Sequence, residues 1–309
     1  MSQALLSVVP IVMALIAGAL AGRVGGAVLR RLAVRSLSPL IALLLLVAGH
    51  AFGAVLASPA LPRTLGLAAL YAVTTTAGSY LLVALCLPAG RQRAQRMPPT
   101  AGASRVVGSA ALRGCLQALG LVALGALLSR LPGPTGAVLT RLLPPLDRLV
   151  WLLVALIGAE LTGLHPGPVW RRRTFWALPV LVVAGSLLGG LAAARVAGQT
   201  LATGAALASG FGWFSMSGAL VASRLGERLG AVALAADLLR ELLGITLLYL
   251  SAARLPLASI GACGATALDS TLPFVRQTCM PAMLPAAIFS GLLLTLLGPL
   301  LMAFFLGFA

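Results

Sequence analysis

The chain has 309 residues, of which 60% are hydrophobic and only 9% are charged, and its mean hydropathy is +1.05. Soluble domains carry about 25% charged residues, so this composition excludes a soluble globular protein and predicts an all-α, multi-pass membrane protein. The net charge of +16 comes from 22 basic residues against 6 acidic ones. Because the arginines lie in short loops between apolar runs, they indicate membrane topology and argue against nucleic-acid binding.

The cysteines of the chain are scattered through or beside apolar segments, at Cys86, Cys115, Cys263 and Cys279. None of them belongs to a CxxC pair, and their spacing favours neither a disulfide framework nor a zinc site. We therefore expect neither a metal nor a cofactor.

Six apolar spans precede residue 198, and we place them at residues 4–22, 39–56, 64–87, 109–128, 146–163 and 176–197. No basic residue precedes the first span, whereas Arg23, Arg30, Arg31 and Arg35 follow it. Cytoplasmic loops carry the excess of basic residues, so this asymmetry predicts that the N-terminus lies outside. The arginines of the later loops alternate between inside and outside loops in agreement with this orientation.

After residue 197 the chain carries two apolar segments with unusual composition. The first, residues 200–223, has three glycines and three serines between Ser209 and Gly218. The second, residues 255–278, contains two glycines, Asp269 and Pro273. Glycine and proline disfavour helix, and interrupted segments of this kind form substrate and ion sites in transporters. We therefore expect two broken or re-entrant intramembrane segments beside about eight transmembrane helices, the last at residues 281–308.

The whole chain, 1–309, is expected to form a single transporter domain. Its first part, residues 1–197, is a six-span half. Its second part, residues 198–309, carries the motifs and the predicted substrate site.

Between the interrupted segments lies an apolar helix, residues 228–252, that carries Asp237, Arg240 and Glu241. Glu241 lies about 20 Å along a helix of about 37 Å, close to the bilayer midplane, where an ionised side chain costs at least about 2.5–3.5 kcal/mol. Asp237 and Glu241 are four residues apart and share a face, with Arg240 at its edge. One arginine balances one carboxylate, so we predict that Arg240 pairs with Asp237 in a mainly structural role. Glu241 then needs another cation: a proton, a sodium ion or a substrate.

The remaining acidic residues differ in their predicted depth. Asp147, Glu160 and Glu227 lie at span ends or in a loop, and we interpret them as structural. Asp269 lies in the second interrupted segment, so three carboxylates and one guanidinium give the membrane-depth region a formal charge of −2. Such a region suits a cationic solute or alternating protonation. Polar groups of the interrupted segments complete the predicted site: Ser209, Trp213, Ser215, Ser217, Thr266, Ser270 and Thr271.

Several motifs follow one another in the C-terminal third: ALASGFGWFSMSG at 206–218, DLLREL at 237–242, CGAT at 263–266 followed by Asp269, TLP at 271–273, and LPAAI at 284–288. In order and spacing they resemble the bacterial lysine exporter family, LysO. The resemblance implies a multi-pass exporter of the bacterial inner (plasma) membrane that moves L-lysine and its toxic analogue thialysine by antiport with protons. It also implies that transport depends on Glu241 and Asp269, with Asp237 and Arg240 beside them. The expected partners are then the amino acid, protons and the lipid bilayer, and a homo-oligomer is possible.

Two other functions fit parts of the pattern. An antiporter of another cation, such as sodium or a different basic amino acid, would use the same acids. An intramembrane protease would need Ser215 or Ser217 near a histidine, or Asp237 and Asp269 as a pair. Both histidines lie far from these serines in sequence, one of them, His50, inside the second span. We therefore expect a transporter rather than an enzyme, and we interpret His50 as structural rather than as a proton relay.

Overall fold

The computed structural model describes residues 2–56, 59, 61–87, 116–117, 120–130, 141–162, 173–268 and 270–309. All regular structure within these ranges is helical, which confirms the all-α fold. The helices are α1 (Ser2–Val24), α2 (Gly26–Leu56), α3 (Leu61–Cys86), α4 (residues 120–128), α5 (Leu146–Leu161), α6 (Arg173–Ala197), α7 (Leu201–Ala208), α8 (Phe214–Leu225), α9 (Glu227–Ser251), α10 (Pro256–Cys263), α11 (Leu272–Thr278) and α12 (Leu284–Leu306). Short 3-10 turns occupy Gly264–Leu268 and Pro281–Met283.

Four stretches of helix among the described residues are long and apolar enough to cross a bilayer: Gly26–Gly53, Leu61–Cys86, Phe175–Ala197 and Pro281–Leu306. Shorter apolar helices occupy Val9–Val24, Arg148–Ala159 and Pro256–Leu268. Helix α9 has the length of a span, but its middle carries three charged residues, which lower its apolar character. Together these helices make the chain a membrane protein.

The second helix begins much earlier than the sequence predicts. We expected a span from residue 39, with Arg30, Arg31 and Arg35 in the preceding loop, but α2 begins at Gly26 and includes all three arginines. Leucine, alanine and arginine all favour helix, and Pro39 is accommodated inside α2. Arg30 reaches the end of α5, where its Nη1 donates to the carbonyl of Thr162 at 3.4 Å. The start of α2 and the end of α5 therefore lie at the same end of the helix bundle.

Other predicted span boundaries agree to within a few residues, and some fall partly outside the described residues. The predicted span at 109–128 is described only at 116–117 and from residue 120 onwards. The predicted span at 146–163 corresponds to α5, and Gly163 lies outside the described residues. The side chains of Asp147 and Glu160, and the whole of His165, also lie outside them.

Glycines allow a close crossing between α3 and α6. A Cβ atom added to Gly78 or to Gly185 would overlap the backbone of the other residue, and one added to Gly189 would overlap that of Thr74. Residue numbers fall along α6 as they rise along α3, so the two helices are antiparallel. Small residues in such crossings let backbones approach closely, as the spacing of Gly185 and Gly189 predicts.

The first interrupted segment breaks where its composition predicts. Helix α7 ends at Ala208 and α8 begins at Phe214. Between them Phe211 and Gly212 take φ angles of 52° and 90°, which turn the chain out of the helical path. We call residues 209–213 the first break.

Both ends of the first interrupted segment lie at the same end of the bundle. Before α7, Gln199 accepts a 2.6 Å hydrogen bond from the hydroxyl of Tyr71, in the first half of α3. After α8, Glu227 lies around one cavity with His50 and Gly53, near the end of α2. Only four residues separate the end of α2 at Leu56 from the start of α3 at Leu61, so they mark a common end.

The second interrupted segment has both of its ends at the opposite end of the bundle. In α10 the hydroxyl of Ser259 lies 2.9 Å from that of Ser251, the last residue of α9, and in α11 Gln277 accepts a 2.9 Å hydrogen bond from the hydroxyl of Tyr249. Because α9 begins at the end described above, these contacts lie at the opposite one. We call the interruption of this segment the second break; it runs from the 3-10 turn Gly264–Leu268 to Thr271. The two breaks meet inside the bundle, where the amide of Ala265 donates to the carbonyl of Phe211 at 2.9 Å.

Candidate functional site

Helix α9 passes the meeting point of the two breaks and brings its charged residues to it. Asp237 is 4% exposed, Arg240 0% and Glu241 6%. The predicted cluster of membrane-depth charges is therefore buried in the protein and does not face lipid. Burial of charges is expensive unless each finds polar partners, so the partners decide what each charge does.

Asp237 holds the first break. Its Oδ1 accepts a hydrogen bond of 2.8 Å from the amide of Gly212. Its Oδ2 packs against Gly210 so closely that a Cβ atom at position 210 would overlap this oxygen and would lie 2.9 Å from Cβ of Ser217. Only glycine fits at position 210 with the carboxylate in this place.

Arg240 bonds to serines of two other helices. Its Nη1 donates to Oγ of Ser186 on α6 at 2.6 Å, and its Nη2 donates to Oγ of Ser79 on α3 at 3.0 Å. The guanidinium carbon lies 5.9 Å from the ring centroid of Phe211, in the first break. Each serine hydroxyl in turn donates to a backbone carbonyl. Ser186 donates to that of Ala208 at 2.7 Å, and Ser79 donates to that of Val182 at 3.1 Å.

The predicted direct pairing of Asp237 with Arg240 is therefore not the geometry found. The carboxylate bonds to the first break and the guanidinium to the two serines, while the opposite charges attract each other across one helical turn. Spacing along one helix reveals only neighbours on that helix, whereas the serine partners lie 54 and 161 residues away in sequence.

Asp237 and Arg240 together replace one missing hydrogen bond of the first break. In a continuous helix the carbonyl of Ala208 would accept from the amide of Gly212, four residues later. Here the amide donates to Asp237, and the carbonyl accepts from Ser186, whose hydroxyl is held by Arg240. Both groups freed by the interruption are satisfied, which buried backbone groups require.

Glu241 lies on the side of α9 that meets the second break. It is close enough to Cys263, the last residue of α10, for the two side chains to interact electrostatically. One turn further along, Gly244 packs against Cys263, and a Cβ atom added there would lie 2.9 Å from Cα of Cys263. Consecutive turns of α9 therefore present one carboxylate to each break.

The hydroxyl groups of the second break cluster near this point. Thr266 donates through Oγ1 to the carbonyl of Cys263 at 2.8 Å, and its own carbonyl accepts from the amide of Thr271 at 3.0 Å. The two threonine hydroxyls are 3.5 Å apart, and both residues are buried. Asp269, between them in sequence, lies outside the described residues.

The other predicted site residues fall into two groups. Ser209, Ser215 and Ser217 are buried in or beside the first break, and Ser209 donates to the carbonyl of Ala205 at 2.7 Å. Trp213 instead faces the apolar side chains of Ile11, Val154, Pro299 and their neighbours. Ser270 is exposed.

Sequence reasoning missed Ser79 and Ser186. A signal for them was present, because each follows a glycine, Gly78-Ser79 and Gly185-Ser186, in two helices that cross closely. A matching Gly-Ser pair on two neighbouring spans places two hydroxyls beside one crossing.

Removal of the Ser186 hydroxyl is expected to destabilise the fold. Ser186→Ala takes a partner from a buried guanidinium and from the Ala208 carbonyl, a loss of about 1–3 kcal/mol. Thermal unfolding of the purified protein measures it. Ser223→Ala is the control, because the exposed Ser223 bonds only within its own helix and should change stability by less than about 0.5 kcal/mol. Equal melting temperatures for both variants would contradict the assigned role.

The described residues show no metal cluster, and His50 lies far from the candidate site. No group of three or more His, Cys, Asp or Glu side chains that could hold a metal ion occurs among them. His50 lies near Glu227 at one end of α9, about 21 Å along that helix from Glu241. Neither a proton relay to Glu241 nor a serine–histidine pair at Ser215 or Ser217 is favoured by this position.

Comparison with known proteins places the chain in a family. The sequence model of the family described as "Lysine exporter LysO" matches residues 119–306. The chain belongs to the LysO family. The match begins well before the C-terminal motifs, at α4, and runs to the end of α12.

Two members of the LysO family illustrate the relationship. A protein of Escherichia coli (strain K12) named lysine exporter LysO is 37% identical over 156 residues, which are 50% of this chain and 52% of that protein. A Haemophilus influenzae protein (strain ATCC 51907 / DSM 11121 / KW20 / Rd), provisionally named a lysine exporter, is 32% identical over 158 residues, 50% of this chain and 81% of that protein. The matched part spans about half the length of the E. coli relative. No solved structure matches the chain.

Proposed function

We propose that the protein exports L-lysine and its toxic analogue thialysine across the bacterial inner membrane in exchange for protons. The observation that carries the proposal is α9, where two buried carboxylates, Asp237 and Glu241, face the two breaks. The names of the relatives support lysine as the substrate.

The charges favour a cation at this site. Asp237 and Arg240 carry opposite charges beside the first break, and with Glu241 the middle of α9 has a formal charge of −1. Asp269, with its negative charge, belongs to the second interrupted segment by sequence. A lysine side chain ends in a compact ammonium group that two carboxylates can hold. Freed backbone amides of a broken helix suit the carboxylate of the same amino acid.

Exchange with protons solves an energetic problem of export. Expulsion of a monovalent cation against an inside-negative potential costs about 2.3 kcal/mol per 100 mV. One lysine out for one proton in is electroneutral, so this cost disappears and the pH gradient drives the cycle. Glu241 and Asp269 can serve both steps: ionised they hold the ammonium group, and after its release they take up a proton.

The proposed topology has eight spans and two re-entrant hairpins, with both termini outside. Its support is the packing of the interrupted segments, whose ends lie at opposite ends of the bundle. Arginine counts orient the bundle. The first hairpin would then enter from outside and the second from the cytoplasm, so that the two breaks meet near the membrane centre.

Single cysteines test this topology. Arg224→Cys and Arg254→Cys, at exposed positions before and after α9, are expected to react with an impermeant maleimide from outside and from the cytoplasm, respectively. Gly226 is left unchanged because its φ of 87° disfavours a side chain. Ten full spans would reverse both results.

Transport assays test the function itself. Labelled lysine, arginine, ornithine and sodium are compared in liposomes, and lysine is expected to move fastest. In inverted vesicles acidified by respiration, added lysine should release protons from the lumen, and Glu241→Gln vesicles serve as the matched control. Labelled lysine that enters the lumen without a change in pH would rule out proton antiport. Faster movement of sodium would favour the alternative cation antiporter.

A further inference from the structure

A cavity of about 510 Å³ lies at the end of the bundle where α9 begins. Its size is that of a small-molecule site. Its wall is formed by the end of α2, the residues after α4 and the start of α5 and α9, and its polar members are His50, Ser129, Arg130 and Glu227. None of these side chains belongs to the transport site on α9, from which they are separated along the helix.

The cavity wall carries two opposite charges that do not form an ion pair with each other. Glu227 and Arg130 are exposed, and within the described part of the chain their side chains form no hydrogen bond or ion pair. Apolar side chains, among them Val47, Leu143 and Leu146, line the wall around them. A ligand that fits must therefore carry an anionic group, a cationic group and an apolar chain.

An α-amino acid with a cationic side chain has these three parts. We propose that the cavity is a second binding site for the exported amino acid, which it occupies after leaving Glu241; this inference rests on the proposed function. Arg130 binds the carboxylate and Glu227 an ammonium group, while the aliphatic chain lies on the apolar wall. His50 and Ser129 provide further polar contacts.

The second site is separate from the first and weaker than it. Glu227 and Glu241 are fourteen residues apart on α9, which is about 21 Å, so one amino acid cannot occupy both sites. One arginine and one glutamate offset each other in the cavity wall, whereas the central region has an excess of negative charge. A cation is held less strongly by a neutral, open cavity, which suits release.

Protection of a cysteine in the cavity wall tests the site. The four native cysteines are replaced, and Ala51→Cys is introduced on the wall in a Glu241→Gln background, so that central binding is disabled. The purified protein is treated with maleimide at increasing lysine concentrations. Lysine is expected to slow labelling about fivefold or more, with ornithine and arginine acting likewise. Ala197→Cys, exposed at the end of α6 and outside the cavity, is the control and should show no protection.

Charge removal then identifies the binding groups. Glu227→Gln and Arg130→Gln are each expected to raise the half-protecting lysine concentration about tenfold, equivalent to about 1.4 kcal/mol. Both residues are exposed, so the variants should fold, and the elution profile of each confirms it. Three results would contradict the proposed site. They are no protection of the cysteine from maleimide by lysine, undiminished protection in both variants, and equal protection by inorganic phosphate. Failed lysine transport with intact protection would instead refute the proposed function and leave the site standing.

Discussion

Glu241→Gln is expected to abolish export while the protein stays inserted and folded, and Asp269→Asn is expected to do the same. Glutamine has nearly the shape of glutamate, but it neither attracts an ammonium group nor carries an exchangeable proton at the pH of the cell. If the carboxylates perform both binding steps, the initial rate of labelled lysine export should fall about 100-fold or more, equivalent to about 2.7 kcal/mol. Membrane insertion and thermal unfolding of each variant are measured in parallel.

Asp237→Asn is the comparison for this loss. Asparagine keeps an oxygen that can accept the hydrogen bond from the Gly212 amide, so the first break should persist and some export should remain. The site assignment would be wrong if Glu241→Gln transported at nearly the wild-type rate. It would also be wrong if Asp237→Asn lost as much export as Glu241→Gln while folding equally well.

The local features of this fold were predictable, because composition acts locally. The segment Ser209–Gly218 contains three glycines and three serines, so its helix propensity is too low for a continuous helix, and the break lies there. The burial of α9 also followed from its sequence, since charges at membrane depth must face the protein interior.

Predictions failed where the partner lies far away in sequence or where two rules compete. Arg240 bonds to Ser79 and Ser186, and neither lies on its own helix. The arginines before residue 39 suggested a loop, but they also favour helix, and helix formation prevails from Gly26 onwards. The membrane side of each interrupted segment depends on where its two ends pack, and composition carries no information about this.

The site combines two breaks and one helix into a single unit. Asp237 holds the first break through Gly212, Glu241 faces the second, and the two breaks share the hydrogen bond from Ala265 to Phe211. A shift of either break therefore changes the surroundings of α9. In an exporter, this connection would let the arrival of a proton or a cation at one carboxylate affect the other.

Gly264→Ala is expected to separate the two breaks and reduce export severely. Gly264 has φ 66° and ψ −131°, a conformation that side chains rarely adopt, and a Cβ atom there would overlap the Phe211 carbonyl. Gly226 supplies a matched control, because its φ is 87° and its ψ 168°, yet nothing lies within 4 Å of an added Cβ atom. Both substitutions strain the backbone by about 1–3 kcal/mol, but only Gly264→Ala also disturbs the contact between the breaks.

The difference between the two glycine variants therefore measures the contact itself. We expect Gly226→Ala to lower the melting temperature with export within about threefold of wild type, a change of less than about 0.7 kcal/mol in the barrier. Gly264→Ala should lose export at least about tenfold beyond that, which corresponds to about 1.4 kcal/mol more. The readouts are lysine export in liposomes at equal protein density and thermal unfolding in detergent. Equal export by both variants would mean that the breaks work independently, because the strain is common to both and the Phe211 contact belongs to Gly264 alone.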